Sequence, residues 1–214
     1  DVGASYFLRQ VPDNLGLFLG LTGAMLNSTD ARELGLLDGL LDDNHYLQVI
    51  QSLTEIPKQS NADTLSHLTL IIATLEANAS ANTPASNLAA HRQNIISALS
   101  QNDLATIVAS LAGLKGQDKW LDKALQTMAN GSPTSLHLFY RAFNENFTNV
   151  ADALQHEYIV GVNATRLGEF KEGVRALLID KDRNPAWRYD TVENTPEAWI
   201  AKFFVTENVA KAHF

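Results

Sequence analysis

The chain has 214 residues and a mass of 23.4 kDa, with 16 Lys and Arg residues against 24 Asp and Glu residues, so its formal charge is −8. Apolar residues make up 45% and charged residues 19%, which predicts a packed globule and argues against a disordered chain or a coiled coil. The acidic total argues against a nucleic-acid surface spread over the molecule, and the lack of Cys excludes disulfides, thiolate metal sites and a Cys nucleophile.

The longest apolar stretch, residues 15–26, is twelve residues long, whereas a membrane span needs about 20. It contains Gly16 and Gly20 at the spacing of a motif that packs membrane helices. In so short a segment we interpret the two glycines as the mark of a close helix–helix contact, and we expect no membrane span.

The hydrophobic periodicity is mostly helical, beginning near the start of the chain. It predicts a helix that Asp13 caps and whose apolar positions continue through Met25 and Leu26. A short helix capped by Ser28 and ending near Gly35 should follow.

Residues 36–41 are the only good strand candidate, and a single strand cannot form a sheet. Asp43 should cap the next helix, and residues 55–63 and 79–87 have the composition of loops. The apolar face of that helix comprises Tyr46, Leu47, Ile50 and Leu53. Further helices are predicted through Leu65, Leu68, Ile72 and Leu75, and at about 88–100, 103–113 and 118–129.

Ser132 and Pro133 form a clear helix start, with Ser as the N-cap and Pro at the first helical position. Later helices are predicted from Asn149 to Leu167, from near Glu169, and after Pro196. Taken alone, the chain is therefore predicted to be almost entirely α-helical.

Two runs begin like metal-binding motifs and then depart from them. Residues 156–160 begin as H-E-x-x-H, but Val160 occupies the position of the second His. Residues 180–191 begin like a calcium loop, but Pro185 stands where the turn needs Gly, and Thr191 where a bidentate Glu is required. We therefore expect no metal site.

A basic cluster near the C-terminus contains Lys181, Arg183 and Arg188, interleaved with Trp187 and Tyr189. Such a set suits a ligand with phosphates and an adenine base, because cations bind phosphate oxygens and aromatic faces pack on the base. The alternative is a solvated turn after a helix, with Trp187 in the core. Composition alone favours the turn.

Four runs carry a resemblance to a known family. Residues 1–8, DVGASYFL, resemble the D-V-G-x-x-Y-F-L run of the 3-hydroxyisobutyryl-CoA hydrolase branch of the crotonase (enoyl-CoA hydratase/isomerase) superfamily. Residues 169–182, EFKEGVRALLIDKD, resemble the branch's D-F-x-E-G-V-R-A-L-L-I-D-K-D almost residue for residue. Residues 21–38 resemble the superfamily's L-T-G … A … G-L-x-D stretch, and residues 132–136 its S-P-T-S-L helix start.

The resemblance implies an α/β crotonase-like fold, of which this chain is the mainly α-helical C-terminal half with at most one or two short strands. It divides the chain into the end of the crotonase core with its following helices (1–54), a helical insertion (55–128) and a C-terminal helical region (129–214). The N-terminal crotonase core, with its parallel strands, is then a partner that belongs upstream of Asp1.

The resemblance also implies hydrolysis of the thioester of 3-hydroxyisobutyryl-CoA, with CoA as part of the substrate and no cofactor. In this superfamily two backbone N–H groups form an oxyanion hole for the thioester carbonyl. Asp1 matches the Asp that pairs with a Glu eight residues upstream, so its implied roles are catalytic and substrate-binding, toward the 3-hydroxyl or the attacking water. Lys181 and Arg183 are further candidates for binding the CoA phosphates.

Because the partner Glu and the oxyanion-hole glycines belong upstream, we expect residues 1–214 alone to lack hydrolase activity. One alternative is an enoyl-CoA hydratase or isomerase on the same fold, and another is a non-catalytic helical module if the chain really begins at Asp1. We expect an acyl-CoA partner, no nucleic acid and no membrane, and the resemblance leaves a homo-oligomer open. The expected location is the cytoplasm, or the mitochondrial matrix in a eukaryote.

Overall fold

The computed structural model describes residues 2–41, 45–55, 61–77, 83–207 and 209. Within these ranges the regular secondary structure is helical and no strand occurs. The α-helices are α1 (Ala4–Phe7), α2 (Leu15–Thr22), α3 (Ser28–Glu33), α4 (Tyr46–Glu55), α5 (Asn61–Ala77), α6 (Arg92–Leu99), α7 (Leu104–Ala112), α8 (Lys119–Asn130), α9 (Pro133–Asn144), α10 (Val150–Leu167), α11 (Glu169–Val174) and α12 (Glu197–Ile200). Short 3₁₀ turns lie at Leu8–Gln10, Pro12–Asn14 and Ala201–Phe204, and a π-helical turn lies at Arg175–Ile179.

The chain divides into two compact units. The smaller is Leu26–Ala90, and the larger combines Asp1–Met25 with His91–Phe214. The three regions implied by the resemblance have other bounds, so that division stays a prediction.

Helix α2 lies at the centre of the larger unit. Its sequence, LGLFLGLT, has no charged residue, and seven of its eight residues are buried. A helix that is apolar on all sides must be covered on all sides, and α2 packs against α6, α8 and α9. These helices contribute the buried side chains Ile95, Ala98, Leu121, Leu125, Leu136 and Phe143.

The two glycines of α2 allow two different segments of the chain to pack closely against this helix. A Cβ atom at Gly20 would lie 1.9 Å from the ring of Phe139 in α9, and one at Gly16 would lie 1.8 Å from the backbone oxygen of Leu8. The interpretation of Gly20 as a helix–helix contact is therefore confirmed, while Gly16 packs against a 3₁₀ turn.

The predicted ends of α2 and α3 need correction. Asp13 does not cap α2, because it has a left-handed backbone (φ 59°) inside the preceding 3₁₀ turn. Helix α2 does not continue through Met25, because Gly23 ends it in a left-handed conformation (φ 60°). The N-cap of α3 is Asn27 rather than Ser28, and its side chain accepts a hydrogen bond from the N–H of Asp30.

Two predicted helix starts in the C-terminal region are confirmed. The Ser132 hydroxyl caps α9 by accepting a hydrogen bond from the N–H of Ser135, with Pro133 at the first helical position. The same hydroxyl donates to the buried Glu169 carboxylate at 2.5 Å, which ties α9 to α11. Asn149 caps α10 in the same manner.

Helix α12 and the 3₁₀ turn after it form a second apolar cluster in the larger unit. Trp199, Ile200 and Phe203 are buried with Leu138 of α9. Asn163 of α10 donates hydrogen bonds to the carbonyl oxygens of Phe203 at 2.9 Å and Val205 at 2.8 Å. The chain after Pro196 is therefore held by side-chain packing and by a buried amide.

The smaller unit is organised around Asp30, which is fully buried. Its carboxylate accepts hydrogen bonds from the N–H of Asn27 at 3.0 Å, the N–H of Leu88 at 2.9 Å and the hydroxyl of Ser86 at 2.8 Å. Because a buried carboxylate needs such donors, Asp30 links α3 to the chain at residues 86–88.

Other predictions for the smaller unit have mixed outcomes. The strand over 36–41 is wrong, since these residues form bends and irregular backbone, with the N–H of Leu40 bonded to Glu76. The loop over 55–63 is wrong in part, because α5 begins at Asn61, and residues 56–60 lie outside the described part of the chain. Asp43 also lies outside it. The apolar residues predicted for the face of α4 are exposed, and none of that helix is buried.

No helix among the described residues is both long enough and apolar enough to span a membrane.

We expect Gly16→Ala to lower the free energy of unfolding by about 3 kcal/mol, because the added methyl group meets a backbone oxygen that cannot rotate away. Gly161→Ala is the matched control. Gly161 is also inside a helix, and its Cβ would meet nothing within 4 Å, so that change should stabilise the protein by up to about 1 kcal/mol. Urea unfolding of both variants measures the difference, and equal effects would contradict the close approach.

We expect Asp30→Ala to lower the free energy of unfolding by roughly 3 kcal/mol, because it leaves buried donors at residues 27 and 88 without an acceptor. Asp38 is exposed, and Asp38→Ala should change the free energy of unfolding by less than about 0.5 kcal/mol. Thermal or urea unfolding compares the two, and a mild effect at Asp30 would show that its hydrogen bonds are dispensable.

Candidate active site

Asp1, the predicted catalytic residue, lies outside the described residues, so its predicted role stays a prediction. The two residues that follow it both have left-handed conformations: Val2 has φ 54° and Gly3 has φ 82°. For Gly3 this costs little, but a β-branched residue with positive φ is strained by about 1–3 kcal/mol. The Val2 side chain is 80% exposed, so packing contributes little to holding that conformation.

The backbone of this segment is held by Glu157, which α10 presents to the start of α1. One carboxylate oxygen accepts a hydrogen bond from the N–H of Gly3 at 2.7 Å. The other accepts from the N–H of Ser5 at 3.0 Å and from the Ser5 hydroxyl at 2.6 Å. Glu157 thus satisfies free N–H groups at the start of α1, where a negative charge is favourable.

The charge of Glu157 is stabilised despite partial burial. Burial opposes ionisation, but the hydrogen bonds from the Ser5 hydroxyl and the N–H groups of Gly3 and Ser5 outweigh it and lower the pKa below the usual Glu value. Glu157 is therefore ionised at neutral pH and acts as a hydrogen-bond acceptor.

A cavity of about 230 Å³ lies beside this contact, between α1, α9 and α10. Its wall is mainly apolar, with Leu138, Phe139 and Val160 among the lining residues. Ser5, Ser135, His156 and Glu157 also line it, and these are its polar groups. A pocket with an apolar wall and a few polar groups is typical of small-molecule sites.

His156 lines the same cavity as a neutral ring. Its Nε2 atom is buried and has no hydrogen-bond partner among the described residues. Burial lowers the pKa of His156 below its ordinary value, more than the charges of Glu145 and Glu157 raise it. Its ring packs edge-on against Phe147, with ring centroids 5.2 Å apart.

The basic cluster predicted from the sequence is not brought together as one set. Arg188 packs over the ring of Trp199, with the guanidinium carbon 4.4 Å from the ring centroid. Trp187 donates a hydrogen bond from Nε1 to the carbonyl oxygen of Asn130 at 3.1 Å. Both side chains therefore serve internal contacts, which leaves the phosphate prediction to Lys181 and Arg183.

Lys181 and Arg183 are exposed, and the side chain of neither residue forms a hydrogen bond or ion pair with another described residue. Both have left-handed backbones, with φ 57° and 54°. The loop is shaped locally by the N–H of Arg183, which donates to the Ala176 carbonyl at 3.0 Å, and by the N–H of Asn184, which donates to Asp182 at 2.8 Å.

Arg175, which the sequence analysis did not single out, organises this loop. Its guanidinium donates to Glu172 at 2.8 Å, to Asp180 at 2.7 Å and to Asp182 at 2.6 Å. These bonds to Glu172, Asp182 and Asp180 raise the pKa of Arg175, and the guanidinium lowers the pKa of Glu172 and of Asp182. The sequence did contain a signal for this network, namely the alternation of acids and bases over residues 180–183. The acids bind Arg175, and the bases do not.

Among the described residues, no group of three or more His, Asp and Glu side chains has a geometry that could hold a metal ion.

Comparison with solved structures identifies the fold. A carnitinyl-CoA dehydratase from Mycobacterium thermoresistibile superposes with a TM-score of 0.73 at 26% identity, covering 98% of this chain and 56% of that chain. An enoyl-CoA hydratase from Rhodobacter sphaeroides superposes with a TM-score of 0.69 at 26% identity, covering 95% and 55%. The predicted fold class is confirmed: this chain is the helical C-terminal half of a crotonase-like fold.

Curated relatives include proteins named 3-hydroxyisobutyryl-CoA hydrolase, mitochondrial. The one from Xenopus tropicalis is 30% identical over 210 residues, which are 96% of this chain and 52% of that protein. The one from Dictyostelium discoideum is 26% identical over 206 residues, or 95% and 52%. The chain therefore spans about half the length of the curated relatives that it matches.

The family model described as Enoyl-CoA hydratase/isomerase matches residues 1–204, which is nearly the whole chain. The chain belongs to the enoyl-CoA hydratase/isomerase family.

Proposed function

We propose that this chain is the C-terminal half of an acyl-CoA thioester hydrolase that converts 3-hydroxyisobutyryl-CoA to 3-hydroxyisobutyrate and CoA, a step of valine breakdown. The observation that carries the proposal is the match of at least 95% of the chain to relatives named for that hydrolase. The near-complete resemblance of residues 169–182 to the hydrolase branch supports it.

In the proposed reaction, backbone N–H groups of the N-terminal core stabilise the charge that develops on the thioester oxygen. The Asp1 carboxylate binds the substrate's 3-hydroxyl or the attacking water, together with the upstream Glu. Water adds to the thioester carbon while one carboxylate accepts its proton. The C–S bond then breaks, and the leaving sulfur of CoA takes up that proton as the acid product forms. It needs no cofactor and no metal in this proposal.

The proposed partners are an acyl-CoA substrate and the N-terminal crotonase core. The mitochondrial names of the frog and Dictyostelium relatives support a matrix location if the protein is eukaryotic, with the cytoplasm as the location otherwise. Whether the protein forms a homo-oligomer is a separate question that light scattering of the whole protein answers.

The second candidate is hydration or isomerisation of an enoyl-CoA on the same fold. The solved structures of a carnitinyl-CoA dehydratase and an enoyl-CoA hydratase favour it, because both superpose on this chain over at least 95% of its length. The two reactions have different readouts: hydrolysis releases a thiol, whereas hydration or isomerisation changes the absorbance of the conjugated double bond.

In the whole protein, we expect Asp1→Asn to lower kcat for thiol release by about 100- to 10,000-fold, because the amide cannot accept the proton that the carboxylate accepts. The control is Asp190→Asn, the same chemical change at an exposed carboxylate, which should leave kcat unchanged. Thiol release from 3-hydroxyisobutyryl-CoA is the measurement, with circular dichroism to verify folding. Full activity of a folded Asp1→Asn variant would refute the role of Asp1.

We expect the double variant Lys181→Gln, Arg183→Gln to raise KM for the CoA substrate about 10-fold with little change in kcat, because two phosphate-binding cations are lost. The exposed Lys115→Gln is the control. A pantetheine thioester that lacks the nucleotide phosphates should show the same KM with wild type and double variant. An equal rise in KM for both substrates would mean that the two cations do not bind phosphate.

A further inference from the structure

We propose that Glu157 is a positioning residue that holds the backbone beside Asp1 in its reactive arrangement, an inference that rests on the proposed function. Glu157 does not contact the substrate in this proposal. It acts through the chain that carries Asp1, over the three hydrogen bonds to Gly3 and Ser5.

The three hydrogen bonds of Glu157 lie close to Asp1 along the chain. Gly3 is two residues after Asp1, and its N–H donates a hydrogen bond to a carboxylate oxygen on another helix. The acceptor lies 154 residues away, on the second turn of α10. The segment beside Asp1 is therefore fixed to an 18-residue helix as well as to its own short helix of four residues.

The backbone that follows Asp1 has an unusual conformation up to Gly3, where Glu157 binds. Val2 and Gly3 both have positive φ, and the exposed Val2 side chain does not hold its own backbone in place. A strained conformation persists only where its surroundings determine it. The hydrogen bonds to the two oxygens of Glu157 are part of these surroundings, so releasing either oxygen removes a constraint on the backbone next to Asp1.

Glu157 and the segment that it binds also line the cavity. Glu157 and Ser5 both line the cavity of about 230 Å³, and Glu157 with Val2 lines a neighbouring cavity of about 430 Å³. A movement of the anchored segment therefore changes the walls of both cavities. Because reacting groups must be aligned within fractions of an ångström, such a movement lowers the rate more than it lowers substrate binding.

The two oxygens of Glu157 have different partners, which permits a graded series of variants. In Glu157→Gln the side-chain oxygen can still serve Ser5, while the amide N–H₂ faces the N–H of Gly3, and two donors repel. Ser5→Ala removes only the hydroxyl bond and keeps both backbone bonds. The control is Glu193→Gln, the same chemical change at an exposed carboxylate.

The experiment measures kcat and KM for thiol release from 3-hydroxyisobutyryl-CoA with the whole protein, at a temperature at which all variants are folded. We expect Glu157→Gln to lower kcat about 10- to 100-fold with less than about a 3-fold change in KM. Ser5→Ala should lower kcat less than Glu157→Gln, and Glu193→Gln should not change it. A rise in KM with unchanged kcat, or no effect in a folded Glu157→Gln variant, would overturn the proposal.

A double-mutant cycle with Asp1→Asn separates positioning from a merely structural cap. If Glu157 acts through Asp1, Glu157→Gln should lower the residual activity of the Asp1→Asn protein less than about 2-fold, because the carboxylate to be positioned is gone. A full additional 10- to 100-fold loss would overturn the positioning role. If instead the proposed hydrolase function is wrong, the result is different: the wild-type protein would release no thiol, or the Asp1→Asn variant would remain fully active.

Discussion

Helix α2 has no polar side on which water could lie, and the larger unit is arranged to meet that constraint. Three helices from distant parts of the chain cover it, and its two glycines let neighbours approach until backbone or ring atoms touch. Burial of such a helix stabilises the unit from every side, because every face of the helix contributes apolar area. The helices that carry the candidate site, α1 and α10, are attached to this centre through α9.

In this helical chain, carboxylates form the hydrogen bonds that connect segments distant in sequence, as backbone pairing does between the strands of a sheet. Glu157 and Asp30 each accept hydrogen bonds from backbone N–H groups and from a hydroxyl, within their own compact unit. Bonds to an ionised acceptor are shorter and stronger than neutral ones, so a single side chain can fix a segment whose own helix is only one turn long. The segment that follows Asp1 is such a case, since α1 has four residues.

Local signals predicted much of the fold, and contacts distant in sequence were missed. Ser132 and Asn149 cap helices where expected, because an N-cap bonds an N–H only two or three positions away. The end of α2 at Gly23 was missed because the apolar period continues past it. Glu157 could not be found from spacing, since its partners are 152 and 154 residues away. The assignment of Asp1 came from resemblance alone.

The ion pairs of Arg175 separate charges that the sequence places side by side. Residues 172–183 contain three acids and three bases, with Arg175 among the bases. This segment therefore has no net charge. Arg175 draws the acids to itself and leaves the bases of the loop unpaired among the described residues. The chain has a formal charge of −8, but charges further apart than a Debye length of about 10 Å are largely screened, so the local arrangement of charges matters more at close range than the total. The network thus leaves two exposed cations, unpaired within the described part of the chain, in a stretch that has no net charge, although the chain as a whole is acidic.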